Sequence, residues 1–139
     1  MKTTDPCPCG RLTGTGAPSA KSVARTYADC CGRYLDAFDS IPAPDAESLM
    51  RSRYTAFVCE RADYLQATWH ASTRPQALDF DAGAKWLGLE VRSHRAEGDR
   101  AQVEFVARYR LGGRAVRLHE RSRFVRENGR WFYVDGDSL

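Results

Sequence analysis

Four cysteines near the N-terminus constrain this chain more than any other feature: Cys7 and Cys9 in CPCG, then Cys30 and Cys31 in DCCGRYL. Two close thiol pairs separated by a loop supply the donor set of a tetrahedral metal site, because Zn²⁺ takes four soft ligands and a short chain closes around it readily. The competing use of such cysteines is a disulfide framework, which belongs to oxidising compartments. The opening stretch MKTTDPCPCG has no apolar run of the signal-peptide kind. The expectation is therefore a cytoplasmic protein whose thiols hold metal rather than cross-links. Four cysteine ligands close the coordination shell and leave no position for a substrate water, so one structural zinc per chain is expected.

DPCPCG followed by CCGRYL resembles the SEC-C motif, the small zinc-binding knuckle at the C-terminus of the SecA translocation ATPase and on many bacterial proteins. Further along, LMRSRYTAFV, DYLQATWH, WLGLEV, FVARY and ERSRFVRENGRWFYVDG resemble the YchJ-like (UPF0225) family, over a span from Asp5 to about Gly136. The resemblance implies an N-terminal zinc knuckle joined to a domain similar to the NTF2-like fold, a cone of curved antiparallel sheet packed with helices. It implies no activity, since the family has none assigned. In SecA the knuckle docks a chaperone, so the resemblance also implies a protein partner, with a ribosomal or nucleic-acid surface as the alternative. The spacer GRLTGTGAPSAKSVARTYAD between Cys9 and Cys30 is longer than the short Gly-Ser-Gly and basic spacer of other SEC-C motifs. Closure entropy grows only logarithmically with loop length, so the metal site tolerates it.

A chain of 139 residues, 42% of them hydrophobic, has material for one proper core. The stretch SIPAPD interrupts the chain with two prolines and offers Asp45 as a helix N-cap, which places a boundary between a knuckle at 1–40 and an NTF2-like domain at 41–139. Net charge is +3, but from Arg92 to Arg130 eleven arginines stand against five acidic residues. Such asymmetry can mark an anionic partner. The favoured explanation is a bias toward arginine on a solvated sheet face, since three of the 21 basic residues are lysine. No run of 18 apolar residues exists to span a membrane.

Periodicity supplies the elements. Ser19–Ala28 is weakly helical, and GRYLDAF forms a short turn that packs Tyr34, Leu35 and Phe38 on the body. A helix over Ala46–Val58 carries Leu49, Met50, Tyr54, Phe57 and Val58 on one arc, and Arg53 falls inside that arc. A charge on the buried side needs a partner. A second helical turn in RADYLQATWH ends at His70, with Tyr64, Leu65 and Trp69 apolar. The NTF2-like resemblance puts Trp69 and His70 at the mouth of the cone, although a histidine there is also what a helix C-terminus favours. A further helical turn is expected at Pro75–Phe80. Four strands follow, Trp86–Arg95, Arg100–Arg110, Arg114–Arg126 and Arg130–Asp135, separated by EGD, GG and NG. Helices followed by a hairpin meander make an α+β fold.

Hairpin register then assigns faces. With Gly112 and Gly113 as a two-residue turn, Tyr109 faces Val116, Ala107 faces Leu118, Phe105 faces Glu120 and Val103 faces Ser122. The same rule at Asn128 and Gly129 puts Tyr133 beside Phe124 and Asp135 beside Ser122. Leu87, Leu89 and Val91 join this face if the EGD turn is odd in length or a bulge intervenes. Glu120, Ser122 and Asp135 thus cluster inside the cone, and Glu120 is expected to pair with Arg53. The pair either ties helix to sheet or belongs to a pocket of Arg53, Trp69, His70, Glu120, Ser122 and Asp135. In the pocket, Glu120 or Asp135 is the general base and His70 or Tyr64 the acid or orienter.

Two classes of function follow. The favoured one is a non-enzymatic binding protein acting through the zinc knuckle, with no catalytic residue assigned. The other is a hydrolase- or isomerase-type enzyme, or a small-ligand carrier, using the interior of the cone. The opposite sheet face interleaves Arg108, Arg117, Arg121, Arg123 and His119 with Val106, Val125, Phe132 and Val134. That mixture suits an interface, including a homodimer, or cross-strand pairs such as Glu104 with Arg121. Cys59 reads as a packed small hydrophobe.

Overall fold

A computed structural model of the chain describes residues 2–12, 23–37 and 39–139. The C-terminal half is a meander: β1 (Lys85–Glu97), β2 (Arg100–Leu111), β3 (Arg114–Glu127) and β4 (Arg130–Ser138) form one antiparallel sheet in that order. Each connection is two residues long. Gly112 and Gly113 have φ of 59° and 78°, and Asn128 and Gly129 have 52° and 77°. Two successive left-handed residues make the type I′ turn, whose twist matches that of the flanking strands. The register between β2 and β3 is the one the Gly-Gly turn dictates: Tyr109 faces Val116, Ala107 Leu118, Phe105 Glu120 and Val103 Ser122.

Three bulges bend this sheet, and they decide what the turn rule leaves open. In β1, Leu87 and Arg92 are extra residues. The second bulge resets the phase, so Leu89 and Val91 stand opposite Ala107 and Phe105 on the concave side. Leu87 does not join them: it is 49% exposed, and Trp86 takes the inner place opposite Tyr109. In β4, Val134 is the extra residue. Tyr133 lies beside Phe124 as the turn requires, but Gly136, not Asp135, lies opposite Ser122. The bulge turns Asp135 to the outer face, where Arg123 Nε donates to it at 2.6 Å. Each bulge adds local twist and curvature, which is how four flat ribbons come to wrap a helix.

The helices fill the concave side. In α2 (Ala46–Val58), the Asp45 carboxylate accepts the Ser48 N–H at 2.7 Å, the N-cap the sequence offers. The helix ends in a Schellman motif, with Arg61 N–H to Ala56 O at 2.8 Å and Glu60 N–H to Phe57 O at 3.3 Å. Glu60 occupies the left-handed position at φ 54°, a conformation that costs a non-glycine residue about 1–2 kcal/mol. Glu60→Gly is expected to raise unfolding free energy by roughly 0.5–1 kcal/mol after the extra entropy of unfolded glycine is subtracted. Urea denaturation reads this directly.

α3 (Ala62–Ala67) is shorter than its pattern suggests. Beyond it the chain runs extended along the edge of β4, with Tyr133 N–H to Thr68 O at 2.9 Å and His70 N–H to Tyr133 O at 2.8 Å. That segment covers a sheet edge that would otherwise stand open. No helical turn forms at Pro75–Phe80; Leu78 and Phe80 pack on the core from an irregular stretch.

The N-terminal segment is a ribbon rather than a helix. Pro6 pairs with Thr26 and Leu12 with Ala24, both antiparallel, so residues 23–28 are not helical over their described part. An antiparallel ribbon is what brings the two cysteine pairs to one end. Residues 13–22 and Phe38 lie outside the described residues. α1 (Gly32–Leu35) buries Tyr34 and Leu35. The four cysteines share one contiguous core with Tyr27, Leu35, Leu49, Leu65, Val103 and Phe124. Full burial of each large apolar side chain contributes about 1.5–3 kcal/mol. Among the described residues no helix is long and apolar enough to cross a membrane.

Candidate metal centre and interior cavity

Backbone hydrogen bonds bring the thiols together. Cys7 N–H donates to Arg25 O at 2.8 Å across the ribbon. The second pair is wrapped around one carbonyl: Tyr27 O accepts from Cys30 N at 3.1 Å and from Gly32 N at 2.8 Å. A Cβ on Gly32 would stand 2.6 Å from that oxygen, so the wrap admits glycine alone. The Sγ atoms of Cys7, Cys9, Cys30 and Cys31 all lie within 4.8 Å of one another, and all four residues are buried. A tetrahedron with metal–sulfur bonds of about 2.3 Å has sulfur–sulfur edges of about 3.8 Å. The Cys9–Cys30 separation of 3.5 Å is near that edge, so the site fits a four-thiolate ion.

The electrostatics agree with the geometry. The Cys30 thiol, hydrogen-bonded to both Cys7 and Cys9, draws Cys7 far below the ordinary thiol range and Cys9 down to about 7, and the same thiol pushes Cys31 up. The thiolate is the form of cysteine that ligates a cation. Outer contacts tie the group to the body: Arg51 donates to Cys9 O at 3.0 Å, and Cys7 Sγ lies 3.7 Å from Thr55 Oγ1. Both partners belong to α2, so one side of this helix seats the thiols while another faces the interior.

That interior is hollow. A cavity of about 380 Å³ lies between α2 and the concave sheet, within the size range of small-molecule sites. Arg53, Trp69, Glu120 and Ser122 line it, together with Tyr133. Aromatic walls are added by Phe57, Phe80, Trp86 and Tyr109, and exposed carboxylates of Glu60, Asp79 and Asp81 stand at the rim.

Arg53 is 6% exposed, yet it does not pair with Glu120. Its Nη1 donates to Leu65 O at 2.9 Å and to Thr68 Oγ1 at 2.7 Å, and its guanidinium lies 4.9 Å from the Trp69 ring and 4.6 Å from that of Tyr133. The last turn of α3 supplies neutral acceptors within reach, and two rings hold the group in place. Glu120 is held elsewhere: Ser122 Oγ donates to its Oε2 at 2.7 Å, and its carboxyl lies over Gly136, where a Cβ would approach it to 2.8 Å. Burial pulls the Arg53 pKa down to about 10, against the weaker opposing fields of Tyr133, Tyr64 and Glu120.

His70 and Asp135 do not reach the cavity. His70 Nε2 lies 3.0 Å from Glu127 Oε1 and its Nδ1 2.6 Å from Ser72 Oγ, with the ring beside Phe132 on the outer side. Once α3 stops at Ala67, the strand-like alternation of residues 68–70 sends Trp69 inward and His70 outward. Tyr64 is spent on a buried hydrogen bond with Ser52 at 2.7 Å. On the outer face Glu104 receives His119 at 2.8 Å and Arg121 at 3.4 Å, and Arg123 joins Asp135 and Asp137. Arg121 and Arg123 are therefore taken up in cross-strand pairs. Cys59, half-buried at the end of α2, has its thiol pKa raised by burial. Trp86 and the acidic rim escaped the sequence reading because their positions depend on the β1 bulges and on an irregular loop. Tyr109, by contrast, is assigned to the concave face by its register opposite Val116.

Comparison with known proteins accords with this architecture. Residues 45–136 match the family described as the YchJ middle NTF2-like domain. A UPF0225 protein of Polaromonas naphthalenivorans is 67% identical over 137 residues, covering 98% of this chain and 99% of the relative. One of Bordetella pertussis is 53% identical, covering 94% and 91%. Among solved structures, a SEC-C motif containing protein from Rhodopseudomonas palustris superposes with a TM-score of 0.74 at 36% identity, covering 84% of this chain and 94% of its own. Another from Psychrobacter arcticus gives 0.77 at 33% identity, covering 96% and 82%. With a thiol cluster packed on the helix that a curved sheet wraps, and relatives this close over nearly its full length, the chain belongs to the UPF0225 family and carries its YchJ-type NTF2-like domain.

Proposed function

We propose that this protein binds a small organic ligand inside the cone, and that zinc held by Cys7, Cys9, Cys30 and Cys31 clamps the helix forming one wall of that site. The observation that carries the reading is a cavity of about 380 Å³ with aromatic walls and a buried guanidinium on its lining. Four thiolates in a tetrahedral arrangement suit zinc, and a shell filled by protein leaves the ion a structural role. Arg53 stays protonated at neutral pH, since its pKa of about 10 is still well above 7. Arginine anchors and orients; with Glu120 tied to Ser122, the interior favours binding over proton transfer.

The test is a titration of ¹⁵N-labelled protein with 2-naphthamide, a neutral flat probe. Shifts should concentrate at Phe105, Leu118, Phe124 and the Trp69 indole. If neither this amide nor its anionic and cationic counterparts, 2-naphthoate and 2-naphthylmethylammonium, moves those signals, the cavity is not a ligand site.

A second reading, docking of a protein partner on the cysteine segment, is supported by the description of the two solved relatives as SEC-C motif proteins. It is compatible with the first, because the thiols face inward and leave the outer surface of the ribbon for a partner.

A further inference from the structure

We infer that the ligand is an aromatic monocarboxylate whose carboxylate seats on the free edge of Arg53. This rests on the cavity being a ligand site and names what it selects. A guanidinium has five N–H donors. Both on Nη1 are used, by Leu65 O and Thr68 Oγ1, while those on Nε and Nη2 have no partner among the described residues. Nε–H and one Nη2–H run parallel, in the fork geometry that a carboxylate accepts with both oxygens. Trp69 and Tyr133 pack against the group and fix the direction of that fork. A second donor in the same wall, Trp69 Nε1, is buried and also without an acceptor among the described residues.

Charge sharpens the choice. No carboxylate lies within ion-pair distance of Arg53 among the described residues, although the side chain is 6% exposed and bears a positive charge. A buried cation left to neutral acceptors gains most from an anionic partner. Burial, the main cause of its lowered pKa, marks the same lack of compensation. Glu120, Glu60, Asp79 and Asp81 also line the cavity, so a doubly charged group such as a phosphate monoester meets four carboxylates against one guanidinium. A single carboxylate is the anion this field tolerates. Phe57, Phe80, Trp86 and Tyr109 supply flat apolar walls, with ring pairs such as Trp86–Tyr109 at 5.0 Å, and these favour a planar body over a flexible chain.

The experiment compares three probes sharing one ring system, 2-naphthoate, 2-naphthamide and 2-naphthylmethylammonium, by calorimetry and by the same NMR signals. Naphthoate is expected to bind at least about tenfold tighter than the amide, with the ammonium compound weakest. Glu120→Gln, which removes an opposing charge from the cavity lining, should raise the preference for naphthoate over the amide, and an unchanged or reduced preference overturns the carboxylate assignment. Arg53→Lys should bring naphthoate down toward the amide. Because Arg53 also supports the fold, Glu120→Gln carries the test if the Arg53 variant does not fold. Equal or tighter binding of the amide or the ammonium compound to the wild type overturns the carboxylate assignment and leaves the cavity reading standing. Failure of all three probes overturns both.

Discussion

Replacing Cys30 and Cys31 with serine is expected to take zinc from one per chain to none by elemental analysis and to lower the unfolding midpoint by roughly 10–20 °C, several kcal/mol for a chain of this size. The size of the effect follows from where the thiols sit. All four are at most 4% exposed and belong to the same core as Leu35, Leu49 and Leu65. Metal binding in small cysteine sites is worth about 10–16 kcal/mol, comparable with the whole stability of a domain, so its loss cannot stay local. Serine also leaves hydroxyls in a pocket shaped for sulfur. The damage should pass to α2 through Arg51 on Cys9 O and through the Cys7–Thr55 contact, loosening the wall that carries Arg53. A variant free of metal with an unchanged midpoint would show that the thiol cluster is not a structural centre.

Arg53→Met should cost about 1–3 kcal/mol in urea denaturation, while Glu120→Gln should cost less than about 1 kcal/mol. Methionine keeps much of the volume and removes a desolvated charge, which offsets part of the loss. It also strips Leu65 O and Thr68 Oγ1 of their donor and takes the cation from the Trp69 and Tyr133 rings. Glu120 has its hydrogen bond to Ser122, which glutamine can retain. If an Arg53–Glu120 ion pair held the helix to the sheet, the two variants would lose similar stability, and that outcome would refute the geometry described here.

Much of this architecture follows from local rules. Asp45 caps α2 because its side chain meets the Ser48 amide whatever the rest of the chain does. Gly112–Gly113 sets the β2–β3 register because two left-handed residues admit one tight hairpin, and Glu120 and Ser122 then must face the concave side. Arg53 lies on the inner arc of its helix by simple angular spacing. The cysteine spacing likewise called for one shared site.

Asp135 and His70 mark where such rules stop. Hairpin register puts Asp135 at the cavity and the NTF2-like resemblance puts His70 there, yet both point outward, Asp135 after the Val134 bulge and His70 after α3 ends at Ala67. A bulge is one unpaired residue whose position depends on how the whole sheet must curve around α2, and no short stretch of sequence encodes that. The partner of Arg53 is decided in the same way. A long side chain reaches several acceptors, and the docking of α3, twelve residues further along, put Leu65 O and Thr68 there before Glu120. Periods, caps and turns are properties of neighbouring peptides, so the chain states them outright. Phase after a bulge, the choice among competing hydrogen-bond partners, and the hollow between α2 and the sheet arise when distant elements pack, and they exist in the folded chain alone.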